Sequence, residues 1–346
     1  MKKIIKIGDK FIGKGYPVFV MAEAGVNHNG KLDLALKLVD AAADAGADAI
    51  KFQTFRAEEV VIAEGEMAEY QKKNTGKNQS QLAMLKKLEF QEEWYPKVIK
   101  RCKERGIIFL STPHGGFASV DLLNKFKVPA LKFGSGDLNN LPVLEYAARL
   151  NKPIILSTGM GNMEEIKEAV KTISKKGNDN LIVLHCTTNY PCPLEEVNLN
   201  AMKTIEKEVG VMTGYSDHTA GYDTAVMAVV MGAPLIEKHL TLDKKMNGPD
   251  HKASADPKEF KEMVMKIRNV GIVMGQGKKE PTVSELKMLP LVRKSVVTLS
   301  DIKKGDLFTA LNIGIKRPGT GLAPKYHTEL IGSKSKKDIK AGTLLD

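Results

Sequence analysis

Eight short apolar segments alternate with helix-like segments over residues 18–274, and this alternation restricts the possible fold more than any other feature of the sequence. Parallel strands joined by helices are buried on both faces, so they read as nearly continuous apolar runs. The sequence therefore predicts an α/β fold, a closed (β/α)8 TIM barrel. Its strands are predicted at 18–25, 47–53, 107–113, 130–136, 153–159, 181–187, 211–215 and 233–236.

An open doubly wound sheet is the competing architecture. Such sheets carry a Gly-x-Gly-x-x-Gly turn after the first strand, and this sequence has none there. Helices are predicted at 34–45, 81–88, 92–105, 118–126, 144–150, 163–175, 222–231 and 257–274, and a leading hairpin at 4–11.

The domain boundaries follow from a change in composition after the last predicted helix. The barrel domain is predicted at 1–275, followed by a glycine- and lysine-rich linker at 276–289. Residues 290–346 contain short β-like runs, and the pattern at 301–305 (DIKKG) returns at 338–342 (DIKAG). This repeat predicts a small β-rich domain with internal pseudo-symmetry.

Charge and cysteine content indicate the class of partner and the compartment. Lysine and arginine outnumber aspartate and glutamate by 52 to 41, a net charge of +11, which favours anionic partners. Neither an aromatic-basic array nor a helix-turn-helix pattern is present, so an acidic small molecule is favoured over nucleic acid. Three cysteines without ligand spacing, no signal peptide and no membrane-length apolar run predict a soluble cytoplasmic protein with no membrane partner.

Two histidines, His218 and His239, each follow a predicted strand. The segment 222–231 between them has the length of a crossover helix, which would place the two strands side by side and parallel. Both imidazoles would then lie at the same rim of the barrel. Neutral imidazole is a common ligand of divalent transition metals, so the pair predicts a metal site.

Polar residues end nearly every predicted strand, where barrel enzymes carry their active sites. Lys51 and Lys132 lie within apolar strands, where a buried ammonium needs an anion nearby. Glycine and hydroxyl turns beside them suit a phosphate or carboxylate ligand, although a Schiff-base lysine is the rival use. The polar strand-end residues are Glu23, Lys51, Gln53, Thr112, Lys132, Ser135, Ser157, Ser216, His218 and His239.

These residues lie in motifs through which the sequence resembles the sialic acid synthase family. The resemblance covers nearly the whole chain, and the segment 316–321 (KRPGTG) is similar to the antifreeze-like (SAF) domain of the same family. The matching segments of the barrel are 22–30 (AEAGVNHNG), 51–55 (KFQTF), 109–113 (FLSTP), 132–137 (KFGSGD), 156–160 (LSTGM), 215–219 (YSDHT), 237–239 (EKH) and 248–251 (GPDH).

The resemblance implies a metal-dependent condensation of phosphoenolpyruvate with open-chain N-acetylmannosamine, giving N-acetylneuraminate and phosphate. It implies that His218 and His239 hold Mn²⁺ or Mg²⁺, which polarises the sugar aldehyde, and that Glu23 lies at the reacting centre. It also implies a domain-swapped homodimer in which Arg317 reaches the active site of the partner subunit. Phosphoenolpyruvate would be held by Lys51, Thr112, Lys132, Ser135, Ser157 and Ser216, and the sugar by Gln53, Asp137, Tyr190, Asp250 and Arg317.

Three alternatives remain open at the level of the sequence. The sugar could be the 2,4-diacetamido-2,4,6-trideoxymannose that leads to legionaminic acid, or a 6-phosphate sugar, which would need an additional cation cluster. Asp137 and Thr188 stand where some bacterial members carry Glu and Asn, and both bear on the choice of sugar. From another class, the chain could be a non-catalytic carbohydrate-binding protein.

Overall fold

The computed structural model describes residues 4–63, 65–75 and 80–346, with the backbone alone for Tyr70 and Lys73. The chain forms two compact units, of which the first ends at Gly275 and the second is Gln276–Asp346. Within the described ranges, no helix combines the length and the apolar character that crossing a membrane requires.

The first unit is a barrel of eight parallel strands, as the sequence predicts. An antiparallel hairpin precedes the barrel. The hairpin strands are β1 (Ile4–Ile7) and β2 (Lys10–Gly13), and the barrel strands are β3 (Phe19–Gly25), β4 (Ala49–Thr54), β5 (Ile108–Pro113), β6 (Leu131–Phe133), β7 (Ile154–Ser157), β8 (Leu181–His185), β9 (Met212–Asp217) and β10 (Leu235–His239). The strand order is β5-β4-β3-β10-β9-β8-β7-β6, and β5 and β6 at its two ends lie beside each other, so the sheet is nearly closed.

Helices join the strands. They are α1 (Leu32–Asp44), α2 (Ala57–Val60), α3 (Glu69–Thr75), α4 (Gln81–Lys86), α5 (Tyr95–Glu104), α6 (Gly116–Lys125), α7 (Leu141–Ala148), α8 (Met163–Ser174), α9 (Asn200–Val209), α10 (Asp223–Val230) and α11 (Pro257–Met274). Helix α9 and the short helices α2 and α3, in the long connection after β4, were not predicted from the sequence. Two helix starts carry clear sequence signals, since α8 and α11 each begin at a capping box, Asn162 with Glu165 and Asp256 with Glu259.

The hairpin closes the amino-terminal end of the barrel. Residues alternate between the two faces of a strand, so Ile5 and Ile7 are buried while Ile4 is exposed. Together with Ile12, the two buried isoleucines pack against residues from the first halves of the barrel strands, including Met21 and Ile155. The opposite end of the barrel is left for the polar residues.

The second unit is small and has its own core. It contains α12 (Val283–Val292), β11 (Ser295–Thr298), β12 (Ile313–Lys316) and α13 (His327–Leu330), with the two strands antiparallel. Helix α12 begins at a capping box of Thr282 and Glu285, so the segment expected to be a linker contains the start of a helix. The core consists of Val296, Ile302, Phe308, Ile313, Ile339 and Leu345.

The repeated pattern in this unit forms two turns that bind each other. The backbone N–H of Ile302 donates to the carbonyl of Ile339 at 2.8 Å, and the N–H of Ile339 donates to the carbonyl of Ile302 at 2.8 Å. Lys340 Nζ lies 2.8 Å from Asp301, and Lys303 Nζ lies 3.3 Å from Asp338. The contacts are reciprocal, which is the pseudo-symmetry that the repeat predicts.

Replacing Ile7 with Ala should lower the free energy of unfolding by about 2–5 kcal/mol, the usual cost of deleting a buried isoleucine side chain. Ile4→Ala, on the exposed face of the same strand, is the matched control and should stay within about 0.5 kcal/mol of wild type. Urea unfolding followed by circular dichroism measures both. Equal midpoints for the two variants would show that the hairpin does not contribute to the barrel core.

Candidate active site

A cavity of about 390 Å³ lies at the carboxyl ends of the barrel strands. We call it the barrel cavity. Its lining combines a polar side with an apolar wall, which is formed by Val26, Phe55, Val60, Met84, Leu85 and Leu88. The polar residues that line it include Glu23, Lys51, Gln53, Thr112, His114, Lys132, Ser135, Ser157, Thr188, Tyr190, Ser216, His218, Glu237, His239 and Asp250.

Two lysines and two glutamates form a buried ion cluster in the polar side. Lys51 Nζ lies 2.5 Å from Glu23 Oε2 and 3.9 Å from Glu237 Oε1, and Lys132 Nζ lies 3.4 Å from Glu237 Oε2. All four side chains are at most 6% exposed. Glu23 and Glu237 are therefore the anions that neutralise the two buried lysines. The sequence analysis did not select Glu237, although it precedes His239 by two residues and so lies on the same face of β10.

Burial and charge act in opposite directions on the pKa values of this cluster. Burial favours the neutral form of Glu237, but Lys132 and Lys51 outweigh it and lower the pKa to about 2. Burial likewise opposes the charge of Lys51, but Glu23 and Glu237 outweigh it and raise its pKa. Burial raises the pKa of Glu23 and lowers the pKa of Lys132. Glu237 and Lys51 are thus held charged. Of the two glutamates, Glu23 is the stronger base.

Hydroxyl groups complete the polar side. Lys51 Nζ donates to Thr112 Oγ1 at 3.0 Å, and Lys132 Nζ donates to Ser157 Oγ at 2.7 Å. Ser135 Oγ accepts the backbone N–H of Gly159 at 3.0 Å. The structure brings every residue that the resemblance assigns to phosphoenolpyruvate to this one cavity.

His218 directly follows β9, and His239 is the last residue of the adjacent strand β10. The two rings lie side by side, with centroids 5.6 Å apart. A carbonyl can only accept, so His218 Nδ1 donates to the carbonyl of Thr187 at 2.7 Å. In a neutral ring Nε2 then carries a lone pair, and it lies 3.4 Å from Ser216 Oγ. Burial lowers the pKa of both rings, and His218 lowers that of His239 further. Two neutral imidazoles therefore face the barrel cavity.

These two rings fit a divalent metal in their donor chemistry. His239 Nδ1 is buried and has no hydrogen-bond partner, which is costly for a polar atom unless it binds something else. In the described part of the chain, no group of three or more His, Cys, Asp or Glu side chains could hold a metal. A metal here would thus need ligands from the substrate or from water in addition to the two histidines.

Behind the histidines, a second buried ion pair joins the same two strands. Lys238 Nζ lies 2.7 Å from Asp217 Oδ2 and donates to the carbonyl of Thr219 at 2.9 Å. The other carboxylate oxygen, Oδ1, accepts the backbone N–H and the hydroxyl of Thr219 at 3.0 and 2.8 Å. This network fixes the strand ends from which both imidazoles project.

The residues assigned to the sugar are distributed unevenly. Gln53, Tyr190 and Asp250 line the barrel cavity, and Gln53 Nε2 donates to Glu23 Oε1 at 3.3 Å. Asp137 does not line the barrel cavity. Its carboxylate is buried and lies 3.3 Å from His114 Nδ1. Arg317 belongs to the second unit, where its Nε donates to the carbonyl of Val292 at 3.0 Å and its side chain is exposed.

His114 and the apolar wall were missed at the level of the sequence. His114 follows Thr112 by two residues at the end of β5, a spacing that points both side chains to the same face. The apolar wall comes largely from the long connection after β4, where the sequence offers no strand rhythm to follow.

We expect Asp250→Asn to stabilise the protein more as the pH rises. Burial, followed by the charge of Glu23, raises the pKa of Asp250 from its ordinary value of 3.8 to about 7. Between these values the unfolded chain releases the proton and the folded chain keeps it, so the free energy of unfolding of wild type falls with rising pH. Asparagine has no proton to lose. The gain in melting temperature over wild type should therefore be larger at about pH 8 than at about pH 5.

Asp179→Asn, at an exposed position outside the cavity, is the matched control and should show no such trend. A gain for Asp250→Asn that is the same at both pH values would contradict the burial of a titrating carboxyl group at this position.

Comparison with known proteins places these features in context. The NeuB family matches residues 38–279 and the SAF domain matches residues 293–346. The chain is 46% identical to the N,N'-diacetyllegionaminic acid synthase of Campylobacter jejuni, over 94% of this chain and 98% of that protein. It is 44% identical to the enzyme of the same name from Legionella pneumophila, over 98% and 96%.

Among solved structures, the chain is similar to the N-acetylneuraminic acid synthetase of Leptospira borgpetersenii, crystallised in complex with citrate. The TM-score is 0.73 and the identity 36%, over 83% of this chain and 95% of that one. The similarity thus extends over most of both chains.

Proposed function

The chain belongs to the NeuB family, and on that premise we propose that it condenses phosphoenolpyruvate with an open-chain 2,4-diacetamido-2,4,6-trideoxymannose. The products are N,N'-diacetyllegionaminic acid and phosphate. The observation that carries the proposal is the buried cluster of Lys51, Lys132, Glu23 and Glu237 next to two neutral imidazoles at the carboxyl end of a barrel. Burying such ionised groups together costs folding stability. Groups of this kind are concentrated at functional sites.

The choice of sugar has two supports. The first is the identity of 46% and 44% to two relatives named N,N'-diacetyllegionaminic acid synthase, against 36% to the structure named N-acetylneuraminic acid synthetase. The second is the apolar wall, which lines the same cavity as the polar residues. A 6-deoxy sugar with two acetyl methyl groups has more apolar surface to place against such a wall than N-acetylmannosamine has.

N-acetylmannosamine, which the sequence analysis puts first, is the second candidate, favoured by the similarity to the Leptospira structure. A 6-phosphate sugar is disfavoured. Of the lysine and arginine side chains in the described ranges, Lys51 and Lys132 line the barrel cavity, and the proposed reaction uses both for phosphoenolpyruvate. A non-catalytic carbohydrate-binding role would not explain why four charged side chains are buried together in the cavity.

The residues suggest how the reaction proceeds. Lys51, Lys132 and the hydroxyls of Thr112 and Ser157 hold phosphoenolpyruvate so that its C3 points at the sugar aldehyde. A divalent cation, Mn²⁺ or Mg²⁺, held by His218 and His239 would supply Lewis-acid polarisation of that aldehyde. As the C3–C1 bond forms, positive charge develops at C2 of phosphoenolpyruvate, and the carboxylate of Glu23 stabilises it.

Water then adds to C2. Glu23, whose pKa is raised by burial, is the group best suited to take the proton that the water loses. The new C2 hydroxyl loses its proton as the bond between C2 and the bridging oxygen breaks, so phosphate leaves with that oxygen and C2 becomes the keto carbon of the product. The aldehyde oxygen gained the C=O electron pair when the C3–C1 bond formed, and the two protons that the water loses end on this oxygen and on phosphate. Lys132 stays beside the departing phosphate and balances its charge.

The role of Arg317 is part of the proposal. An exposed guanidinium is suited to bind acyl or hydroxyl oxygens, and the resemblance implies that it does so in the partner subunit of a domain-swapped homodimer. A monomer by light scattering that stays active at high dilution would contradict this role.

Phosphate release from phosphoenolpyruvate tests the reaction and the sugar together. Metal-stripped protein is offered each of the three sugars, before and after Mn²⁺ is added. We expect release only after Mn²⁺ is added, and fastest with the diacetamido sugar. Faster release with N-acetylmannosamine would move the assignment to the second candidate, and no release with any sugar would contradict the proposed function.

His218→Ala and His239→Ala should each reduce the metal-dependent rate by at least about 100-fold and weaken Mn²⁺ binding, because each removes a ligand. Titration calorimetry with Mn²⁺ gives a readout that does not depend on turnover. His327→Ala, in the second unit, is the matched control and should leave both quantities unchanged. Wild-type Mn²⁺ affinity in either of the first two variants would rule out the metal assignment.

A further inference from the structure

We propose that His114, oriented by Asp137, accepts the N–H of the C4 acetamido group of the sugar, while the methyl of that group packs on the apolar wall. This inference rests on the proposed function and names the residues that select the sugar. It also gives Asp137 a role different from direct sugar contact, since its carboxylate does not line the cavity.

The position of His114 is fixed at its backbone and at its ring. Its N–H donates to the carbonyl of Thr54 at 2.9 Å, which holds the end of β5 against β4. Its Nδ1 lies 3.3 Å from Asp137 Oδ2. A Cβ on Gly134 would lie 3.7 Å from the Cε1 of His114 and 3.9 Å from the carboxylate of Asp137, so the pair packs closely over this backbone.

The carboxylate also selects the tautomer of the ring. An ionised carboxylate can only accept hydrogen bonds, so the contact with Asp137 is favourable when Nδ1 carries the proton. In a neutral imidazole the other nitrogen, Nε2, is then an acceptor. Because the ring lines the barrel cavity, the sugar meets a hydrogen-bond acceptor there.

The ring of His114 also borders the apolar wall. The ring centroids of Phe55 and His114 are 6.5 Å apart, with an edge-on angle of 66°. Phe55 is 4% exposed and packs in one cluster with Val26, Met84 and Leu88. An acceptor and an apolar surface thus adjoin at one place in the cavity.

An acetamido group matches this junction because it carries an N–H donor and a methyl on the same carbonyl-linked unit. A hydroxyl at C4, as in N-acetylmannosamine, leaves the apolar wall without a partner, and because its O–H can rotate toward water or another acceptor, it depends less on Nε2 than the amide N–H does. Discrimination therefore requires both the acceptor and the wall, and removing the acceptor should reduce the preference without preventing catalysis.

The test compares kcat/KM for the diacetamido sugar with kcat/KM for N-acetylmannosamine, at saturating phosphoenolpyruvate. His114→Phe keeps the packing on Phe55 but removes the acceptor, and should lower the ratio by about 10-fold, the usual effect of leaving one polar group unpaired. His114→Gln retains an oxygen that can accept, and should keep most of the wild-type ratio. His327→Phe is the matched control and should not change it.

The positioning role of Asp137 is tested by a double-mutant cycle. Asp137→Asn can donate to Nδ1 and so favours the opposite tautomer, which should lower the ratio as His114→Phe does. In the His114→Phe background, Asp137→Asn should change the ratio no further, because Asp137 acts through the ring. The KM for phosphoenolpyruvate should be unchanged in every variant, which separates this effect from a general loss of structure.

The outcomes distinguish this inference from the function on which it rests. A wild-type preference for the diacetamido sugar that persists unchanged in His114→Phe and Asp137→Asn would overturn the inference and leave the proposed function standing. Fully additive effects of the two substitutions would overturn the role of Asp137 as a positioning residue. A wild-type enzyme that uses only N-acetylmannosamine would overturn the proposed sugar and this inference together.

Discussion

The site depends on four ionised side chains that neutralise one another inside the barrel. Each of them would cost several kcal/mol if it were buried alone, and removing one partner leaves its neighbour uncompensated. Glu23, Lys51, Lys132 and Glu237 come from four different strands, so only the assembled barrel brings them together. Because each lysine has a carboxylate partner before any substrate arrives, the cluster can remain charged although its side chains are buried.

The geometry of the two histidines depends on strand register. Glu237 pairs with Ser216, and Lys238 with Asp217, so the residues that follow, His239 and His218, come to lie side by side. Alternation along β10 turns Glu237 and His239 into the cavity and leaves Lys238 to pair with Asp217 in the surrounding layer. Three consecutive residues therefore have three different roles. Glu237 supplies a charge to the site, Lys238 forms an ion pair between the strands, and His239 supplies an imidazole.

Much of the fold could be predicted because the period of the apolar segments is a local property. The eight strands, the helix between β9 and β10 and the reciprocal turns of the second unit all follow from patterns within the sequence. Helix α9 did not, and neither did the helices after β4, where the sequence offers no strand rhythm to follow. Most of the polar site residues were also predictable, since each ends a strand. Glu237 was overlooked in favour of His239, although the two-residue spacing placed both on one face.

The sequence by itself determined the barrel, the strand ends at which chemistry would collect and the residue types available there, because period and composition are read one segment at a time. Only the tertiary structure decided which charges face each other. It pairs the buried lysines with Glu23 and Glu237, and it turns Asp137 away from the cavity towards His114. It also brings the apolar wall into the cavity that the polar residues line. The reason is physical. Ion pairing, the choice of histidine tautomer and the placement of apolar side chains in the cavity depend on distances of a few ångströms between residues far apart in the chain. Local sequence does not encode these distances.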